Sequence, residues 1–199
     1  MKKKIVFALV LLICAMSLLF AAEEKEKGPF GTKWLMTKEE LAEVGTFGEI
    51  INSNEYCTMY DFHPKKTHSA FESYTVILGK DEGLVKVIAY GKDISCNEYG
   101  TALKNEYNSM KASLTGSYGS AKQEYDFNTS SLWSDPEDWM YSLTKGYRYL
   151  ACYWELPRIS VVLEALGSSS SKGYIRLTYE HNMWGLIVDR INNAENDLL

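Results

Sequence analysis

Ile159-Ser160-Val161-Val162-Leu163-Glu164-Ala165-Leu166 and, beyond a polar turn, Tyr174-Ile175-Arg176-Leu177-Thr178-Tyr179-Glu180 decide the fold. Ile159, Val161 and Leu163 alternate with Ser160 and Glu164, while Ile175, Leu177 and Tyr179 alternate with Arg176, Thr178 and Glu180. A period of two gives each segment one apolar and one polar face, as in an antiparallel sheet covered by helices. Residues 147–155 read as a third strand before these two, with Leu150, Cys152 and Trp154 on one face. The three make a C-terminal meander, and the run from Gly167 through four serines to Gly173 predicts a long, flexible hairpin tip.

Working upstream, Tyr74, Val76 and Leu78 alternate with Ser73 and Thr75, Lys80-Asp81-Glu82-Gly83 turns the chain, and residues 84–90 return. A four-residue polar turn ending in Gly predicts an antiparallel hairpin. Residues 55–62 read as a further strand, closed by His63-Pro64, and residues 124–127 as a short one. Thr37-Lys38-Glu39-Glu40 is a capping box that opens a short helix, ended by Gly45. Tyr99, Leu103, Tyr107, Met110, Leu114 and Tyr118 form one stripe of a long helix, opposite Lys104, Asn108 and Lys111. Pro136, with acids beside it, starts a helix of about three turns that Gly146 ends, and residues 183–199 read as a last helix. Strands and helices without a βαβ rhythm indicate an α+β fold: antiparallel sheet from a hairpin and a meander, covered by one long and several shorter helices.

The chain has 199 residues, 46% hydrophobic and 24% charged, so one domain is expected and wholesale disorder is excluded. Lys2-Lys3-Lys4 precede an uncharged run over residues 5–22, the layout of a bacterial-type secretory signal. Cleavage is expected after Ala21; an uncleaved N-terminal anchor is the alternative, and it would be the only membrane attachment. Lipidation at Cys14 is disfavoured because bulky Ile13 stands where a small residue belongs. The expected organisation is a signal peptide or anchor at 1–21, a solvated linker at 22–29 and one α+β domain at 30–199. The chain would be exported, periplasmic or extracellular. Without the three early lysines, 18 basic residues face 26 acidic ones, the wrong sign for tracking phosphates, so no nucleic-acid partner is expected.

An ordered set of segments carries a resemblance. It comprises Phe30-Gly31, Trp34-Leu35-Met36-Thr37-Lys38-Glu39-Glu40-Leu41, Gly83-Leu84-Val85-Lys86-Val87-Ile88-Ala89, Tyr99-Gly100-Thr101-Ala102-Leu103, Tyr118-Gly119, Trp133 with Trp139, and Leu150-Ala151-Cys152-Tyr153-Trp154-Glu155. Together these resemble a group of exported bacterial proteins of uncharacterised function. The stretch from Trp34 to Gly45 is similar to the helix opening of small outer-membrane assembly lipoproteins and of β-lactamase-inhibitor-like folds. That likeness implies a helix-plus-antiparallel-sheet architecture and no functional residue.

Chemistry-bearing motifs are sparse. Neither GxGxxG nor GxxxxGK is present, and Gly116-Ser117-Tyr118-Gly119 lacks the spacing of a hydrolase elbow. Cys57, His63 and His68 lie close in sequence but match no standard zinc spacing. Cys152 with His181 or His63 could form a nucleophile pair, although a buried thiol is inert. Asp135, Glu137 and Asp138 stand beside Trp133 and Trp139, where a pair of acids next to a sugar platform could act on a glycan; the same acids suit a helix start. Cys57, Cys96 and Cys152 allow one bridge or none, and Cys96, in a polar junction before a helix, is the thiol expected to be exposed. No catalytic residue, cofactor or metal ligand is assigned. Two expectations remain: a non-catalytic binding or envelope-associated protein whose partner is an envelope protein or glycan, and an envelope hydrolase or transferase acting on cell-wall sugar or peptide.

Overall fold

The computed structural model describes residues 26–196. The proposed signal or anchor, its cleavage site and Cys14 lie outside the described residues.

The chain is α+β. Nine strands form one antiparallel sheet, so the expected hairpin and meander are parts of a single surface. The strands are β1 (Gly45–Ser53), β2 (Cys57–Pro64), β3 (Phe71–Gly79), β4 (Gly83–Gly91), β5 (Ile94–Ser95), β6 (Gln123–Asn128), β7 (Arg148–Glu155), β8 (Ile159–Ser169) and β9 (Lys172–His181). The helices are α1 (Lys38–Val44), α2 (Thr101–Tyr118), α3 (Trp139–Thr144) and α4 (Met183–Asn196). Strand order is β1-β2-β3-β4-β9-β8-β7-β6, with β5 also on β9.

Read inward from either edge, the strands follow chain order: β1 to β4 from one side, β6 to β9 from the other. Each set of four follows a helix, α1 or α2, and the two sets meet where β4 pairs antiparallel with β9 from Lys86↔Glu180 to Tyr90↔Arg176. The order is therefore two-fold symmetric about the β4–β9 seam. Local details repeat too. The β3–β4 tip closes on the pair Gly79↔Gly83, and a Gly–Gly pair, Gly167↔Gly173, also stands near the β8–β9 tip, one step before its closing pair Ser169↔Lys172. Before α1, Leu35 donates to the Leu84 carbonyl and Leu84 to that of Met36, at the start of β4. Before α2, β5 pairs with Gly173 and Lys172 at the start of β9.

One continuous core lies beneath α1, α2 and α3 and draws on both halves: Trp34, Leu41, Phe62, Val76, Leu84, Leu103, Met140, Trp154, Leu163 and Leu177. On the opposite face α4 covers a smaller cluster of Cys57, Ile77 and Val85 around Ile187. Arg190 of α4 fixes this lid by pairing with Glu82, in the turn between β3 and β4.

Four local expectations need correction. Residues 45–53 form β1, an edge strand the sequence did not announce, because its Gly45 and Gly48 and its mostly exposed side chains erase the period of two. The expected three-turn helix at Pro136 is a single 3-10 turn (Pro136–Asp138) followed by the six residues of α3. The serine-rich tip is not long: both strands run on until Ser169 pairs with Lys172. Residues 26–29 belong to the fold instead of a free linker, since Trp34 N–H donates to the Glu26 carbonyl at 2.8 Å and Lys27 bridges Lys33.

Candidate functional site

Among the described residues, no helix lies over the face of β6–β9 opposite α2 and α3. Register places its residues in rows. One row runs Tyr153, Val162, Thr178, Ile88 and Thr75 across β7, β8, β9, β4 and β3. Val162, Thr178, Ile88 and Thr75 are buried without a helix above them, so this row is a shallow trough of short, β-branched side chains. Longer side chains make its banks. On one side Arg176 holds Glu164, with guanidinium-to-carboxylate distances of 2.8 and 2.9 Å; on the other Lys86 meets Glu180 at 2.5 Å. Lys86 also lies over the Trp184 ring of α4, 5.1 Å from its centroid.

At the β6–β7 end the trough opens onto an aromatic cluster. Tyr125 and Phe127 of β6 and Tyr149 and Tyr153 of β7 share this face, because Phe127 pairs with Tyr149, and Gln123 with Tyr153. Their rings interlock: Tyr125 meets Tyr153 edge-on at 5.7 Å, and Phe127 stacks on Tyr149 at 5.1 Å. All four are exposed, Tyr149 by 50% and Phe127 by 45%. Partial burial by its neighbours pushes the Tyr153 phenol above its ordinary pKa. A contiguous exposed aromatic surface leaves apolar area in water that a contact could bury. Its charges are already paired, so it presents ring edges and hydroxyls without a free ionic handle.

The groups singled out in the sequence are not brought together there. Trp139 is buried in the core beneath Lys104, whose ammonium sits 4.3 Å from its ring centroid, so it offers no sugar platform. Trp133 packs on Tyr141 at 4.6 Å, with its carbonyl accepting from Ser142 at 2.6 Å. Asp135 and Glu137 are solvent-exposed at the 3-10 turn, with Asp138 half-buried at its end. His63 pairs with Asp61 at 3.2 Å, and His68 Nδ1 accepts from the Ala70 N–H in a loop. Among the described residues no three His, Cys, Asp or Glu side chains converge as a metal set.

Cys152 is buried under α2 in the same core cluster as Tyr107, and burial raises its thiol pKa. His181 stands elsewhere, its ring 5.6 Å from that of Trp34. Burial likewise raises the Cys57 thiol. The three cysteines of the described residues are free; Cys57 and Cys152 are buried and Cys96 is half-buried, its thiol donating to the Ile94 carbonyl at 3.4 Å.

Among the described residues no helix is long and apolar enough to cross a membrane. Comparison of the chain with protein-family models, with curated proteins and with solved structures gives no match.

Proposed function

We propose that this is an exported, non-catalytic binding protein of the bacterial envelope, and that it docks a partner protein on the uncovered face of β6–β9. The observation that carries the reading is the interlocked cluster of Tyr125, Phe127, Tyr149 and Tyr153 beside a trough whose flanking charges are paired. Aromatic side chains dominate the energetic centres of protein interfaces, and unpaired charge is depleted there. Rings that meet edge-on, as Tyr125 and Tyr153 do, or stack on each other, as Phe127 and Tyr149 do, offer fewer open faces to a sugar than hydroxyls and edges to a polypeptide. Export rests on the basic start and the uncharged run over residues 5–22.

The test is a binding screen of the purified protein against envelope proteins, peptidoglycan fragments and other glycans, repeated with a Phe127→Ala/Tyr149→Ala variant. Both side chains are exposed, so the variant should unfold at an unchanged temperature. Saturable binding to an envelope protein that weakens at least about tenfold in the variant is expected. Binding of peptidoglycan fragments through the same residues would replace the protein partner by a glycan. Binding indifferent to the substitutions would remove this face from the account.

A further inference from the structure

A cavity of about 470 Å³ lies on the other, helix-covered side of the sheet, between residues 26–29 and the β7–β8 turn. Its walls are apolar and aromatic: Pro29, Trp34, Tyr118, Leu156, Ile159 and Tyr179. Among the described residues, charged groups line it only from Glu26, Lys27 and Arg158, two cations against one anion, with the Arg158–Glu26 pair loose at 3.9 Å. A volume of this size holds a small organic molecule.

Two features mark the strap that supplies Glu26, Lys27, Gly28, Pro29 and Trp34 to the wall of this cavity. Trp34 is 1% exposed, yet its Nε1 is buried without an acceptor. Trp154 in the same core shows the normal arrangement, its Nε1 donating to the Gly119 carbonyl at 2.9 Å. An orphaned buried N–H is rare and disfavours the empty fold. The second feature is backbone strain. Among the described residues the only non-glycine positions with positive φ are Phe30 at 53° and Leu35 at 59°, both in the strap around Trp34. Strain of this kind persists where neighbouring structure over-determines it, and it gathers at ligand sites. Here the over-determination is visible: Phe30 packs edge-on against Phe71, Tyr74 and Tyr179, and the strap's ends are tied by the Trp34–Glu26 hydrogen bond.

We infer that this cavity is a binding site for a small aromatic carboxylic acid. The planar body suits walls of Trp34, Tyr118 and Tyr179. An oxygen of the ligand supplies the acceptor that Trp34 Nε1 lacks, reached by a small opening of the strap. The net positive rim, through Arg158 and Lys27, selects an anion over a cation. The site is separate from the aromatic sheet face and does not depend on its role.

The experiment follows the five tryptophan indole N–H signals of the full chain by NMR, with Trp34 assigned through its own side-chain correlations so that no core variant is needed. The probe is 4-hydroxyphenylacetate; tyramine, the same ring carrying an ammonium, is its counterpart. The acid is expected to move the Trp34 Nε1 proton downfield and saturably, tyramine to leave it in place, and Arg158→Gln to weaken the acid about tenfold, the effect of losing a charge-assisted contact. Arg158 is exposed, so this variant keeps its fold. An unmoved Trp34 signal at roughly 10 mM acid, well beyond the range of a specific site, would overturn the proposal. So would an equal response to tyramine, or shifts confined to Tyr125, Phe127, Tyr149 and Tyr153.

Discussion

His181 illustrates how one side chain can carry a pH response without any catalytic duty. It ends β9, buried against Trp34, and its Nδ1 accepts the Met183 N–H at 3.3 Å. Burial holds its pKa below the ordinary 6.5; Glu26 opposes the shift, and Arg158 adds to it more weakly. The unfolded chain therefore binds a proton more readily than the folded one. Above the ordinary value there is no penalty; as the pH falls through it, stability is lost until the folded-state pKa is also passed. Denaturant midpoints at pH 7.5 and 5.5 should fall more steeply for the natural protein than for His181→Gln. Equal slopes would mean that the imidazole contributes nothing to acid sensitivity. In the sequence His181 follows a strand and stands out only as a candidate partner for Cys152. Its burial comes from the strap and Trp34, which are far away in the chain.

At the scale of elements, α2 was the most legible part of the sequence, since its stripe of Leu103, Tyr107, Met110 and Leu114 is buried as the spacing requires. Tyr99, read as part of the same stripe, is exposed, because the helix begins only after Gly100, whose backbone turns left-handed at φ 67°. A Cβ there would run into the Trp139 ring, so the chain enters α2 across that indole with no side chain between them. Leu103→Ala should cost about 2–5 kcal/mol, the range for a fully buried leucine, measured by urea denaturation. Tyr99→Ala should stay within about 0.5 kcal/mol, as exposed substitutions do. If the two were equal, the stripe would not be the support of the sheet. The β-strands with strict alternation were equally legible. What sequence could not show was the open aromatic face. Tyr125, Phe127, Tyr149 and Tyr153 look like ordinary strand residues until register brings β6 beside β7, and whether a face is covered depends on where the helices pack. Trp133 and Trp139 drew more notice in the sequence, yet Trp139 serves the core.

For the whole molecule the seam matters most. The two sets of four strands share one core, and the β4–β9 ladder has Val87 opposite Tyr179 and Ala89 opposite Leu177, all four buried. Neither half could leave without exposing that core, so unfolding should be a single cooperative event. Far-ultraviolet circular dichroism, which follows the sheet, and tryptophan fluorescence, with Trp34 in one half and Trp154 in the other, should give coincident transitions. Two separated transitions would show the halves to be independent folding units. The symmetric order also bears on ancestry. A chain of half this length, folding as one helix and four strands, would end on a bare edge strand, and two such chains could satisfy each other by pairing those last strands about a true two-fold axis. In a dimer of that kind every change is made twice. Once the copies are joined end to end, each is free to drift. In this chain the second half has the longer link between its first two strands, residues 129–147 with α3 within it, where the first half has residues 54–56.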